Sequence, residues 1–65
     1  MVYAKYMELP KDVRVGMRAT GVLQAFIAMP HPHQSYYLDW INQAKTSVTR
    51  YRRIVKTCEI LAAQS

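Results

Sequence analysis

Tyr37-Leu38-Asp39-Trp40-Ile41-Asn42-Gln43-Ala44-Lys45-Thr46-Ser47-Val48-Thr49-Arg50 is the stretch that decides the fold. Tyr37, Trp40, Ile41 and Ala44 stand at i, i+3, i+4 and i+7, which puts them on one face of an α-helix, and Leu38 widens that stripe. Trp40, the largest of them, is expected to anchor the core. Beyond Lys45, Thr46 can cap a further helix by accepting a hydrogen bond from a first-turn N–H. So short a connection favours two helices packed as a hairpin. The second of them carries Val48, Tyr51, Ile54, Val55, Cys58, Leu61 and Ala62 on one side. Arg50, Arg53 and Lys56 lie opposite, with Arg52 at the border.

Towards the N-terminus, Pro30-His31-Pro32-His33 reads as a turn, because each proline biases its predecessor away from helix. The helix carrying Trp40 is therefore expected to begin near His33. Before the turn, Thr20 reads as the N-cap of a short helix bearing Val22, Leu23, Phe26 and Ile27 and stopped by Pro30. Earlier still, Pro10 suits a first helical turn and Asp12 the positive end of the dipole. Those signals predict a helix over Lys11 to Ala19, with Val13 and Met17 on its buried edge, Arg14 and Arg18 on another face, and Gly16 weakening it. Residues 1–8 show neither stripe nor cap and read as an arm whose Tyr3, Tyr6 and Met7 cover a core edge. The expectation is an all-α domain over 9–65, a small bundle of three to four helices ending in a C-terminal helical hairpin. Phe26, Tyr37, Trp40, Ile41, Ile54 and Leu61 are its expected core.

The chain has 65 residues, 51% of them hydrophobic, with two glycines and three prolines. That composition argues against disorder, and the length against a two-domain enzyme. The single cysteine, Cys58, excludes an internal disulfide framework and a cysteine-based zinc site. The uncharged stretch Val22 to Gln34 is too short and too interrupted by prolines to cross a bilayer. The N-terminus lacks the apolar core of a secretory signal, so a cytoplasmic location is the default.

Charge is lopsided. Residues 1–44 hold four cations and three acids, whereas residues 45–65 hold five cations and only Glu59. Lys45, Thr49, Arg50, Arg53 and Lys56 form the candidate contact for an anion or a partner. Such a helix could meet phosphates through its arginines and the free N–H groups of its first turn. Alternatively Arg50 and Arg53 brace the hairpin by pairing with Asp39, Glu59 or the terminal carbonyls of the preceding helix. Tyr36 is out of phase with Tyr37 and is expected to face outward, where with Tyr3 or Tyr6 it could meet a partner.

Catalytic chemistry finds little support. His31, His33 and Cys58 lack a fourth metal ligand, and Cys58 falls mid-helix on an apolar stripe, unlike an activated thiolate. Glu8, Asp12, Asp39 and Glu59 are dispersed, without the close pair that splits carboxyl pKa values. So small a chain is also expected to lack the walls for a pocket of several hundred Å³. No catalytic, cofactor or metal residue is assigned.

The order Tyr37, Trp40, Ile41, Ala44, Lys45, Thr49, Arg50, Arg53, Ile54 fits the pattern Tyr-x-x-Trp-Ile-x-x-Ala-Lys-x-x-x-Thr-Arg-x-x-Arg-Ile. This resembles the YdeI/OmpD-associated family, also called bacteriocin-protection proteins. Leu9-Pro10-Lys11-Asp12-Val13 is similar to the family's Pro-x-Asp opening, and the likeness runs over about residues 9–64. Ser47 and Gly21 depart from it, standing where the family often has proline, and so does the Pro30/Pro32 turn. The resemblance implies a helical domain, often C-terminal to another domain for which this chain leaves no room, and it implies no established reaction. The expected function is therefore that of a small non-enzymatic interaction domain in a bacterial cytoplasm, with no cofactor. Its partner would be an unidentified protein or a second copy; the alternative is a basic nucleic-acid-binding module using the arginine-rich last helix.

Overall fold

The computed structural model describes residues 9–64, so the expected arm of residues 1–8 lies outside the described residues. Four helices follow one another with no strand among the described residues: α1 (Lys11–Ala19), α2 (Leu23–Ile27), α3 (His31–Asn42) and α4 (Ser47–Ala63). The fold is all-α. Helix α4 packs against both α1 and α3, while α2 packs on α1.

The beginning of α1 lies where its sequence signals put it, except that Pro10 stands just outside the helix at the N-cap rather than in the first turn. Its extended backbone turns the chain into the helix, and its carbonyl accepts from Arg14 N–H at 3.0 Å. Asp12 Oδ1 accepts from Val13 N–H at 2.9 Å, at the positive end of the helix dipole.

Thr20 does not cap α2. It ends α1, with its hydroxyl donating back to the carbonyls of Gly16 (2.9 Å) and Met17 (3.3 Å). The reason is Gly21, whose φ of +76° lies in the left-handed region that only glycine enters without cost. With Gly21 so placed, Val22 N–H reaches Met17 O at 2.9 Å and Gly21 N–H reaches Arg18 O at 3.2 Å. These two bonds form a Schellman motif, and the accompanying apolar contact is supplied by Met17 and Val22, both buried. Helix α2 then starts after Val22 with no side-chain cap.

The Pro30-His31-Pro32-His33 segment is likewise not a turn before α3 but its first turn. Pro30 takes the N-cap position and Pro32 lies within the opening turn. A proline there costs nothing in hydrogen bonding, because the first N–H groups of a helix have no intrahelical acceptor. Helix α3 ends at Asn42, so Ala44 falls in the connection. Thr46 caps α4 as its sequence position predicts, its Oγ1 accepting from Thr49 N–H at 3.1 Å.

The core gathers Leu9, Val13 and Met17 with Val22, Leu23 and Phe26, and closes on Ile41 of α3 and Ile54, Cys58 and Leu61 of α4. Phe26 is the largest fully buried side chain, 1% exposed. Trp40 and Tyr37 are only partly buried, packed against the rim of this cluster. The core centres on the fully buried Phe26 and Ile41 and not on Trp40, which packs at the rim with the Arg53 guanidinium over its ring. Gly16, expected only to weaken α1, has a second role: a Cβ there would lie 3.1 Å from Ile54 Cγ2, so its bare backbone lets α1 approach α4 closely.

One polar side chain is built into this core. Gln34 is 8% exposed, and its Nε2 donates to the carbonyls of Phe26 (3.0 Å), Ile27 (3.0 Å) and Met29 (3.2 Å). These are carbonyls at and just beyond the C-terminal end of α2, which a five-residue helix leaves largely without partners. Gln34 therefore caps α2 from the first turns of α3.

Candidate functional site

Helices α1 and α4 run side by side in the same direction: Asp12 meets Arg50, and one turn later Gly16 meets Ile54. Arg50 Nε donates to Asp12 Oδ2 at 2.6 Å and Nη2 to Asp12 Oδ1 at 3.1 Å, a two-point pairing that fits the planar guanidinium to the carboxylate. Its remaining nitrogen, Nη1, donates to Asn42 Oδ1 at 2.8 Å, so one side chain joins α1, α3 and α4. Arg53 Nη1 donates to the Trp40 carbonyl at 2.7 Å, while its guanidinium lies 5.2 Å from the centre of the Trp40 ring. The carbonyl it meets is passed over by the closing turn of α3, where Ala44 N–H bonds Ile41 O.

Arg50 and Arg53 thus brace the helices. Arg53 does so on a terminal carbonyl of α3, one of the partners expected from sequence; Arg50 chooses Asp12 rather than Asp39 or Glu59. Thr49 is engaged at the cap, its N–H on Thr46 Oγ1 and its own hydroxyl 3.1 Å from that same oxygen. Lys45, in the connection, and Lys56, on the exposed side of α4, point into solvent. The five residues proposed as an anion contact are therefore not gathered into one cradle.

The Asp12 carboxylate is held below its ordinary pKa of 3.8 chiefly by the Arg50 hydrogen bonds; burial, the next largest influence, opposes them, and the Arg50 charge and the Val13 N–H add smaller downward pulls. Arg50 is correspondingly raised, again chiefly by its bond to Asp12. A depressed carboxyl contributes stability that is complete above the unfolded value near 4 and is lost as pH falls through the lower folded value. Thermal melts between about pH 5 and about pH 2 are expected to show a fall in Tm that is smaller in Asp12→Asn. At neutral pH the same substitution should cost only about 0.5–1 kcal/mol, because the Asp12 side chain is half exposed to screening solvent. Identical acid sensitivity in the two proteins would refute this assignment.

Beyond the Asp12–Arg50 pair, the facing sides of α1 and α4 enclose an open groove of about 700 Å³. Val15, Gly16 and Ala19 form one wall, Tyr51, Val55, Cys58 and Ala62 the other, with Ile54 below. The walls that the chain length argued against are present, supplied by the facing sides of two helices. Tyr51, expected on the buried stripe of α4, is 68% exposed, and Val48 and Ala62 are exposed as well. The nine-residue α1 covers just one flank of α4, and among the described residues nothing lies over the Tyr51 side. Val15 is 54% exposed on the facing wall. An apolar residue out of phase on a short helix, as Val15 is between Arg14 and Gly16, was the sequence signal for this surface.

Tyr36 is exposed, as its phase implies, and stacks edge to face on Tyr37 at 5.4 Å; Tyr3 and Tyr6 lie outside the described residues. His31 and His33 are exposed at the start of α3, and Cys58 is a buried free thiol lining the groove. Among the described residues there is no group of three or more histidine, cysteine or acidic side chains that could hold a metal ion, and no helix long and apolar enough to cross a membrane. A family model described as bacteriocin-protection, YdeI or OmpD-associated matches residues 6–64. No curated protein and no solved structure matches the chain.

Proposed function

We propose, from the premise that this chain belongs to the YdeI or OmpD-associated (bacteriocin-protection) family, that it is a non-enzymatic interaction domain which docks a protein partner in the groove between α1 and α4. The observation that carries this reading is the unpartnered apolar surface of Val15, Tyr51 and Val55. An apolar strip of this kind, held open between two braced helices, has the geometry that receives a partner's helix. Catalysis is no part of the proposal, which assigns the groove no paired carboxylates and leaves Cys58 buried. A bacterial cytoplasm suits its free thiol. The protection against bacteriocins in the family's name would then be exerted through the protein held there.

Replacing Tyr51 with a photo-crosslinking phenylalanine analogue in living bacterial cells is expected to give discrete protein adducts. The same analogue at Gln24, exposed on α2, should give none, and Val15→Asp should abolish those from position 51. No adduct from position 51 would end the docking reading. The nucleic-acid alternative is tested by anisotropy of labelled DNA and RNA oligomers at ~50 and ~300 mM salt, where phosphate contacts lose affinity steeply. With Arg50 and Arg53 both engaged within the fold, no submicromolar, salt-sensitive binding is expected; finding it would put the alternative ahead.

A further inference from the structure

Resting on that docking reading, we infer that residues 1–8 of this chain lie in the groove until a partner displaces them. Attachment, reach and chemistry converge on that segment. Leu9 is buried in the core and Pro10 holds the N-cap position of α1. The segment therefore starts from an anchored residue, three positions before Asp12, where the lining of the groove begins on α1. Eight extended residues span up to about 26–29 Å, whereas the lining of α4 from Ser47 to Ala62 runs about 22 Å. Met1, Val2, Tyr3, Ala4, Tyr6 and Met7 are apolar or aromatic, side chains suited to the uncovered walls at Val15, Tyr51 and Val55. Of the charged lining residues, Asp12 and Arg50 neutralise each other. That leaves Glu59, exposed and without an ion pair among the described residues, and Lys5 is the segment's one cation.

The register follows from spacing. With Asp12 level with Arg50, a chain folding back from Leu9 enters beside Asp12 and runs towards Ala62. At about 3.3 Å per extended residue against 1.5 Å per helical one, Tyr6 comes to rest beside Val15 and Tyr51, and Tyr3 beside Ala19 and Ala62. Lys5, between them, reaches towards Glu59. Tethering favours this segment over a second copy. A short tether holds its segment at an effective concentration on the order of 1 mM, which a second copy matches only in concentrated solution. A partner must bind tightly enough to outcompete it, so the segment sets the affinity threshold of the groove.

The test uses the full chain, labelled with ¹³C and ¹⁵N. Ring protons of Tyr6 are expected to show NOEs to the Val15 methyls and those of Tyr3 to the Ala62 methyl, unchanged on dilution. In a mixture of labelled and unlabelled chains, a spectrum filtered for intermolecular NOEs should lack them. A Tyr3→Ser, Tyr6→Ser, Met7→Ser variant, which alters no core residue, should shift the amides of Val15, Ala19, Tyr51 and Val55 and leave that of Gln24 in place. It should also raise the yield of intermolecular adducts from the analogue at position 51 at least threefold. Lys5→Glu should weaken the NOEs, and Glu59→Lys added to it should restore them, a rescue that lost stability does not produce. Absent NOEs, or NOEs to the Trp40 rim instead, would overturn the inference. So would their survival in the filtered spectrum, which assigns the groove to a second copy's segment, or an adduct yield that the serine variant leaves unchanged. In each of those cases the docking reading stands or falls on position 51 alone. The expected NOEs with no intermolecular adduct from either chain would end the docking reading and leave the segment in place.

Discussion

Phe26→Ala is expected to leave the chain without a cooperative thermal transition, whereas Trp40→Ala should leave it folded with a lowered Tm. Removing a fully buried phenylalanine costs about 3–5 kcal/mol once the cavity is included. A single core in a chain of this size supplies no more than about that amount, so the loss matches the whole stability. Phe26 belongs to the buried cluster and is 1% exposed, leaving little solvent into which the site could relax. Trp40 touches the same cluster only from its rim. Its replacement forfeits part of a side chain and the Arg53 stacking, the latter worth about 0.5–1 kcal/mol at a partly exposed site. Far-UV circular dichroism on heating separates the two variants. If Phe26→Ala melted cooperatively and Trp40→Ala did not, the core would centre on α3 and this account of it would be wrong.

Gln34 carries the second large effect. One amide nitrogen with two hydrogens serves three carbonyls, so Gln34→Leu keeps the volume while Ile27 O and Met29 O lose that donor and Phe26 O keeps only its bond from Met29 N–H, at about 1–3 kcal/mol. Gln34→Glu should be worse at neutral pH, since a carboxylate would face oxygen lone pairs in a nearly buried site. The sign of its pH dependence follows. Carbonyls around a carboxyl favour its neutral form, which raises the folded pKa above the unfolded value of about 4.3. Its stability is then present below that value and is lost as pH rises through the folded pKa. Melts of Gln34→Glu should improve on acidification towards about pH 4.5, against the trend that Asp12 imposes on the native chain at lower pH. A variant no more stable in mild acid than at neutrality would mean that packing, and not the hydrogen bonds, holds position 34.

These residues also mark how far the sequence could be read. Helix α1 and the Thr46 cap of α4 were legible because their signals are local: a proline, an acidic first turn, a hydroxyl three residues before the N–H it serves. The recurrence of Tyr37, Trp40, Ile41 and the arginines beyond them placed the chain in its family for a related reason, since spacing along one helix survives without knowledge of what packs against it. Thr20 misled because a hydroxyl before an apolar run looks the same whether it opens one helix or closes another; Gly21 decides the matter through a backbone angle. Pro32 misled because the bias against helix before a proline is weaker than the absence of any hydrogen bond to lose there. Gln34 and the Asp12–Arg50 pair were beyond reach, their partners being chosen by tertiary placement; Asp12 and Arg50 stand 38 residues apart. The groove escaped notice because stripe counting assumes that every apolar position on a helix finds a neighbour, and α1 is too short to cover Tyr51.

The Arg50 fork has a consequence for motion. Its three nitrogens fasten the first turn of α1, the last residue of α3 and the first turn of α4 to a single guanidinium. Helix ends ordinarily fray one by one, each opening at its own small free energy. Here three of them share one clasp, so none can unwind far without releasing the other two. Fraying of any of the three ends is thereby coupled to the other two through one side chain, beside the mouth of the groove.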